Sequence, residues 1–219
     1  LKSSKSKPLN GIVEIPSDKS ISIRALILSS ICLGNSKIHR LLESDDVLNT
    51  LNVLKKLKIK IVKKNNYYEV LGQGGYFSDP ETNLDFGNSG TGVRLMMGLL
   101  STSEVNATLT GDKSLSSRPM KRVIDPLNKM NVSLTHKEGS LPIKITNENK
   151  KHLPINHTLS IWSAQLKSSI FLAALNTSGT TKIIEKITSR DHSAIMLNAL
   201  VAGISKKQQI RDITSHTNK

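Results

Sequence analysis

Four stretches of this sequence gather lysine, arginine, serine, glycine and glutamine where a helix is about to begin. That composition suits holding a small anion. In GIVEIPSDKSISIRALILSS, Pro16 and Ser17 end a strand, Ser20 or Ser22 can cap the following helix, and Lys19 stands beside its first free amides. Arg24 falls one helical turn beyond Ser20 and can reach the same side. In LDFGNSGTGVRLMMGLL, Gly87, Gly90 and Gly92 permit unusual backbone angles and close approach of a ligand to amides, although neither a GxxxxGK[ST] phosphate loop nor a GxGxxG fingerprint is present. In GDKSLSSRPMKRV, Arg118 precedes Pro119, a residue suited to a first helical turn, so its guanidinium can fork onto a carboxylate or phosphate at a helix start. Ser163 and Gln165 open the helix of WSAQLKSSIFLAAL. Each stretch alone also reads as an ordinary cap or tight turn with solvated charge. Their repetition on equivalent ends of related units points to one cleft for a small, multiply anionic, hydroxylated ligand.

Other chemistries find no support in the residues. The six His are scattered, with no HExxH and no Cys-His cluster, and no GxSxG elbow occurs. Cys32 and the Met96-Met97 pair read as core packing. One cysteine excludes an intramolecular disulfide and fits a reducing compartment, so a cytoplasmic location is expected. No apolar run approaches the roughly 20 residues needed to cross a bilayer. The net charge of +14, from 31 Lys and Arg against 17 Asp and Glu, invites comparison with nucleic-acid binders. Yet the lysines are dispersed, aromatic residues make up only 3%, and no base-stacking motif interrupts them, so a solvated surface explains most of the charge.

The elements that must position these entrances recur. Strand GIVEIP, helix SISIRALILSSIC, strand SKIHRL, helix DDVLNTLNVLKKL and strands KIKIVKK and YYEVLG give βαβαββ. The same order returns as NLDFG, TGVRLMMGLLS, NATLTG, RPMKRVIDPLNKM, NVSLTHK and LPIKIT, and a third time as HTLSIW, SAQLKSSIFLAAL, TTKIIEK and DHSAIMLNALVAG. The unit recurs about every 70 to 75 residues. Asp18-Lys19-Ser20-Ile21-Ser22-Ile23-Arg24 is echoed by Asp112-Lys113-Ser114-Leu115-Ser116-Ser117-Arg118. The expected fold class is therefore α/β (α+β), built of βαβαββ units. The third unit reads as incomplete, because ISKKQQIRDITSHTNK is polar and lacks sustained alternation. Residues 1–15 are expected to be a basic leader and a strand belonging to an otherwise absent second domain, 16–204 the binding domain, and 205–219 a polar tail.

The motifs DKSISIRAL, NSGTGVRL, LTGDKSLSSRPM, SAQLKSSIFLAAL and SRDH, in this order, resemble the enolpyruvyl transferase family, and Lys19-Ser20 followed by Arg24 favours its shikimate-pathway branch. The resemblance runs from Gly11 to about Leu200. It implies transfer of an enolpyruvyl group from phosphoenolpyruvate to the 5-hydroxyl of shikimate 3-phosphate, through a tetrahedral intermediate with release of phosphate and without metal or organic cofactor. In that picture Lys19 contacts both substrates, and Ser20 and Arg24 hold the shikimate phosphate ester or ring substituents. Gly90 and Arg118 bind phosphoenolpyruvate, Ser163 and Ala164 contact the shikimate substrate, and Gln165 lies between both. Ser189 or Arg190 adds a phosphate contact, while Asn88, Thr91 and Arg94 shape the glycine-rich entrance.

Two departures stand out: Ile23 where the family commonly has His, and Ala199-Leu200 in place of Phe-Gly. Family members are about twice as long, and the acid/base residues lie in the half not represented here. No catalytic residue is therefore assigned, and the chain is expected to be inactive alone, with a separately encoded second half as a candidate partner. The competing readings are a non-catalytic phosphometabolite-binding module and, less favoured, a basic nucleic-acid-binding protein.

Overall fold

The computed structural model describes residues 2–8, 10–148, 150–200, 204–207 and 210–215. The first repeat comprises α1 (Lys19–Ile31), β1 (Leu33–His39), α2 (Asp45–Lys56), β2 (Lys60–Lys63) and β3 (Tyr67–Gln73). The second comprises β4 (Leu84–Asp85), α3 (Gly90–Ser101), β5 (Ala107–Thr110), a short α4 (Lys113–Ser116), α5 (Lys121–Lys129), β6 (Leu134–Lys137) and β7 (Ser140–Ile145). The third comprises β8 (Asn156–Leu159), α6 (Ala164–Leu175), β9 (Gly179–Glu185), α7 (His192–Leu200), β10 (Ile204–Lys207) and β11 (Ile210–Ser215).

The second and third repeats build the same sheet. Their strand orders are β4-β5-β7-β6 and β8-β9-β11-β10, with the first pair parallel and the others antiparallel. The first repeat has only β1-β3-β2. Its expected opening strand, GIVEIP, joins no sheet among the described residues. Ile12, Val13 and Ile15 are instead 102, 80 and 75% exposed. Alternating apolar residues favour extended backbone, but a strand also requires a neighbouring edge to receive its hydrogen bonds.

The third repeat corrects the expectation of a missing end. β11 pairs along β9 from Ile210↔Ile184 to Ser215↔Gly179, and β10 pairs with β11, so the closing strands are present. Ladder hydrogen bonds involve backbone groups and tolerate a polar sequence, and Ile213 supplies a buried side chain, 1% exposed. The boundary expected at 204 therefore moves to at least 215. Within the expected polar tail, residues 208–209 and 216–219 lie outside the described residues.

The core is arranged around α1, α3 and α6, the first helix of each repeat. Every residue of α3 is buried, and α1 and α6 bury most of theirs, consistent with helices that are apolar around much of their circumference. α2 and α5 are two-faced and cover the outside, α2 burying Val47, Leu51 and Leu54 and α5 burying Val123, Ile124 and Leu127. α3 and α6 run parallel, because Thr91 and Arg94 meet Gln165 while Gly98 meets Ser169 one turn later. A Cβ on Gly98 would stand 2.1 Å from the Ser169 carbonyl oxygen. Gly98→Ala is therefore expected to lower stability by about 1–3 kcal/mol. A denaturation midpoint equal to that of the unsubstituted chain would contradict this packing.

Candidate functional site

α1 follows the direction of α3 and α6, since Ser20 shares a cleft with Ser163 and Ala164 while Arg24 meets Ser168 one turn on, so the amino ends of all three open on one side of the core, each presenting amides that lack intrahelical partners. Asp18 caps α1, its Oδ1 accepting from the Ile21 amide at 2.7 Å, so neither Ser20 nor Ser22 performs the capping expected of them. Ser20 is thereby left to face the cleft. Ser89 caps α3 through the Gly92 amide, and Ser163 caps α6 through the Leu166 amide, both at 3.3 Å. Asp112 caps α4 as Asp18 caps α1, so the DKS echo reflects shared cap chemistry at a first helix in one repeat and a later turn in the next.

A cleft of about 290 Å³ lies between these ends, lined by Ser20, Arg24, Trp162, Ser163, Ala164, Gln165, Arg190 and His192. Arg24 is anchored from three sides. Its Nε donates to Ser193 Oγ at 2.6 Å, and its terminal nitrogens donate to the Ser20 carbonyl and to Ser168 Oγ, each at 3.0 Å. Burial lowers the Arg24 pKa; Asp18 opposes that change and Arg190 adds to it. A guanidinium remains protonated in this setting, so the cleft has a fixed positive wall.

Gln165 joins the cleft to the glycine-rich entrance. Its side-chain nitrogen donates to Thr91 Oγ1 at 2.9 Å, and its oxygen accepts from Arg94 at 3.1 Å. Arg94 also donates to the Gly90 and Pro119 carbonyls, at 3.0 and 3.4 Å. Its pKa is pushed down to about 10, chiefly by burial and further by Arg122 and Arg118. Arg94 Nε is buried with no hydrogen-bond partner among the described residues, a cost that a bound acceptor would offset. Arg118 donates to Asn88 Oδ1 and, at 3.4 Å, to Ser114 Oγ.

The three glycines serve different purposes. Only Gly87 adopts a positive φ, +53°, in the turn before α3. Gly90 is helical, and a Cβ there would lie 2.9 Å from terminal nitrogens of both Arg94 and Arg118. Gly92 admits the Thr50 and Ser89 hydroxyls in the same way. Arg118 also differs from its expected setting, because α5 begins at Lys121. Its guanidinium reaches back to the start of α3 instead of standing at the start of its own helix.

The cleft thus assembles Ser20, Arg24, Ser163, Ala164, Gln165 and Arg190, with Asn88, Gly90, Thr91, Arg94 and Arg118 adjoining it through Gln165. Two expected residues stand apart. Lys19 is half-exposed and paired with Asp46 at 2.7 Å, outside the cleft lining. Ser189 turns inward, its amide and hydroxyl both donating to Glu185 Oε1, at 3.0 and 2.5 Å. Four further residues belong to the site without a motif to mark them: Trp162 and His192 line the cleft, and Ser168 and Ser193 hold Arg24. Trp162 was marked only by its place beside Ser163, and no sequence spacing links Ser193 to Arg24.

Among the described residues no helix is long and apolar enough to cross a membrane. Residues 3–219 match a profile of the EPSP synthase family, also named 3-phosphoshikimate 1-carboxyvinyltransferase. The chain is 46% identical over 200 residues to the 3-phosphoshikimate 1-carboxyvinyltransferase of Bartonella henselae, covering 90% of this chain and 45% of the relative. It is 44% identical over 208 residues to that of Rhodopseudomonas palustris, covering 93% and 46%. Among solved structures, EPSP synthase from Acinetobacter baumannii superposes with a TM-score of 0.89 at 33% identity, over 95% of this chain and 48% of that one. The chain spans about half the length of the curated relatives it matches. This chain, three related repeats with cationic helix entrances matched along almost its whole length by these relatives, belongs to the EPSP synthase family.

Proposed function

We propose that this chain is the shikimate 3-phosphate-binding half of a 3-phosphoshikimate 1-carboxyvinyltransferase. The observation that carries this reading is the bonding of Arg24, Arg94 and Arg118 at the converging helix ends. Their hydrogen bonds go to hydroxyls, amide oxygens and backbone carbonyls, so their charge is oriented without being neutralised in those bonds. In this reading Ser20, Arg24, Ser163, Ala164 and Arg190 receive the phosphorylated ring, and Gly90, Arg94 and Arg118 receive phosphoenolpyruvate, with Gln165 between them. Lys19 would join once its pairing with Asp46 is exchanged for substrate, while Ser189 supports the wall from behind.

The enolpyruvyl carbon would add to the ring hydroxyl through a tetrahedral intermediate, with loss of phosphate. The proton transfers belong to a second half, which we place against the helix openings. The exposed Ile12, Val13 and Ile15, and the first sheet lacking a strand parallel to β1, supply apolar surface and backbone edge for that half. A cytoplasmic location is part of the same reading.

The single tryptophan, Trp162, lines the cleft and provides the test. Titration with shikimate 3-phosphate is expected to give a saturable change in its fluorescence, with shikimate itself binding at least about tenfold more weakly. Equal responses to the two compounds, or none to either, would overturn the assignment.

A further inference from the structure

Behind the cleft wall lies a buried charge cluster that the proposed chemistry does not use. Lys167, on α6, is 1% exposed. Its ammonium donates to Glu185 Oε2 at 2.9 Å, to Asp191 Oδ1 at 2.7 Å and to the Ser189 carbonyl at 3.3 Å. Glu185 is equally buried and receives the Ser189 amide and hydroxyl on its other oxygen. These bonds gather the end of β9, residues 186–191 and the approach to α7 onto one point of α6. Arg190 and His192, immediately either side of Asp191, line the cleft. Ser168, next to Lys167, and Ser193, two residues beyond Asp191, repeat the connection, since Ser193 Oγ donates to Ser168 Oγ at 2.6 Å and Arg24 reaches both hydroxyls.

We infer that Lys167 is a positioning residue for the cleft: with Glu185 and Asp191 it fixes residues 186–191 so that Arg190 and His192 form one wall. This rests on the anion-binding reading of that cleft. A buried ion cluster is a poor source of stability compared with apolar packing of similar volume, but it requires one geometry, because each charge must keep its partners. Here the geometry is imposed on a connection between a strand and a helix, and it fixes the backbone on both sides of Asp191.

The test uses the whole chain with two variants, Lys167→Met and Asp191→Asn. The second keeps the Lys167–Glu185 pair and protects the experiment against misfolding of the first. Amide exchange across residues 186–193, followed by mass spectrometry, is expected to quicken about fivefold or more in Asp191→Asn, while exchange in α3 stays unchanged. Affinity for shikimate 3-phosphate should fall about tenfold, and most of that loss should vanish in an Arg190→Ala background, because the clamp acts through Arg190. A purely structural role would leave the two losses additive. Unchanged exchange in residues 186–193, or a full loss persisting without the Arg190 side chain, would overturn the inference. If the unsubstituted chain fails to bind shikimate 3-phosphate, the ligand assignment falls, and the exchange measurement alone decides whether the clamp exists.

Discussion

Replacing Arg24 with alanine is expected to reduce affinity for shikimate 3-phosphate by at least about 100-fold, or ~3 kcal/mol, as judged by calorimetric titration. The guanidinium is held by Ser20, Ser168 and Ser193 before any ligand arrives, so little ordering cost remains to be met on binding. Arg24→Lys keeps the charge but cannot reproduce the fork, so it should recover only a minor part of the affinity. Both variants remove buried hydrogen bonds to Ser168 and Ser193, and their thermal transitions must be compared with that of the unsubstituted chain. Near-normal affinity in a folded Arg24→Ala chain would remove this residue from the binding site.

The second large effect concerns turnover. Incubated with shikimate 3-phosphate and phosphoenolpyruvate, the chain alone is expected to release phosphate no faster than buffer. Added to a polypeptide carrying the remaining half of a full-length relative, it should acquire activity dependent on both substrates. The physical reason is that oriented cations can hold two anions together, but proton transfer requires an acid and a base within hydrogen-bond reach of the reacting atoms. Among the described residues no carboxylate lines this cleft, and those on the surrounding elements are engaged before substrate binds. Asp18 caps α1, Asp46 pairs with Lys19, and Glu185 and Asp191 are bound to Lys167. Substrate-dependent phosphate release by the isolated chain would contradict this division of roles.

Much of the fold could be read from the sequence because repetition reinforced local pattern. Three copies of one strand and helix order placed α1, α3 and α6 at corresponding points, and those helices bury most of their residues. The errors arose where a strand depends on its neighbour. GIVEIP alternates well yet pairs with nothing described, whereas IRDITS alternates poorly and forms β11 between β9 and β10. An apolar period reports a side chain's preference, but the ladder reports whether an adjacent backbone is available.

The site was legible at the level of entrances and obscure at the level of bonds. Arg24, Gln165, Ser163 and Arg190 line one cleft, the first three standing at the entrances read from the residues and Arg190 at a position given only by the family resemblance. Ser189 belongs to the right loop but faces Glu185, and Arg118 serves the start of α3 although its sequence neighbour Pro119 pointed to another helix. The Ser189 hydroxyl is turned by Glu185, four residues earlier at the buried end of β9, and Arg118 is turned by Asn88, 30 residues earlier in the chain; neither spacing is a recognised motif. Lys167 illustrates the same limit, because a lysine one residue before Ser168 reads as solvated until Glu185 at the end of β9 and Asp191 just before α7 close around it.

The central claim, that separate helix openings form one receptor for a phosphorylated ring, is tested most directly by determining the structure of the chain crystallised with shikimate 3-phosphate. The account predicts the ligand between the starts of α1 and α6, with its oxygens on Ser20, Arg24, Ser163 or Arg190 and Gln165 at its edge. A ligand bound on another surface, with that cleft unchanged, would contradict the account.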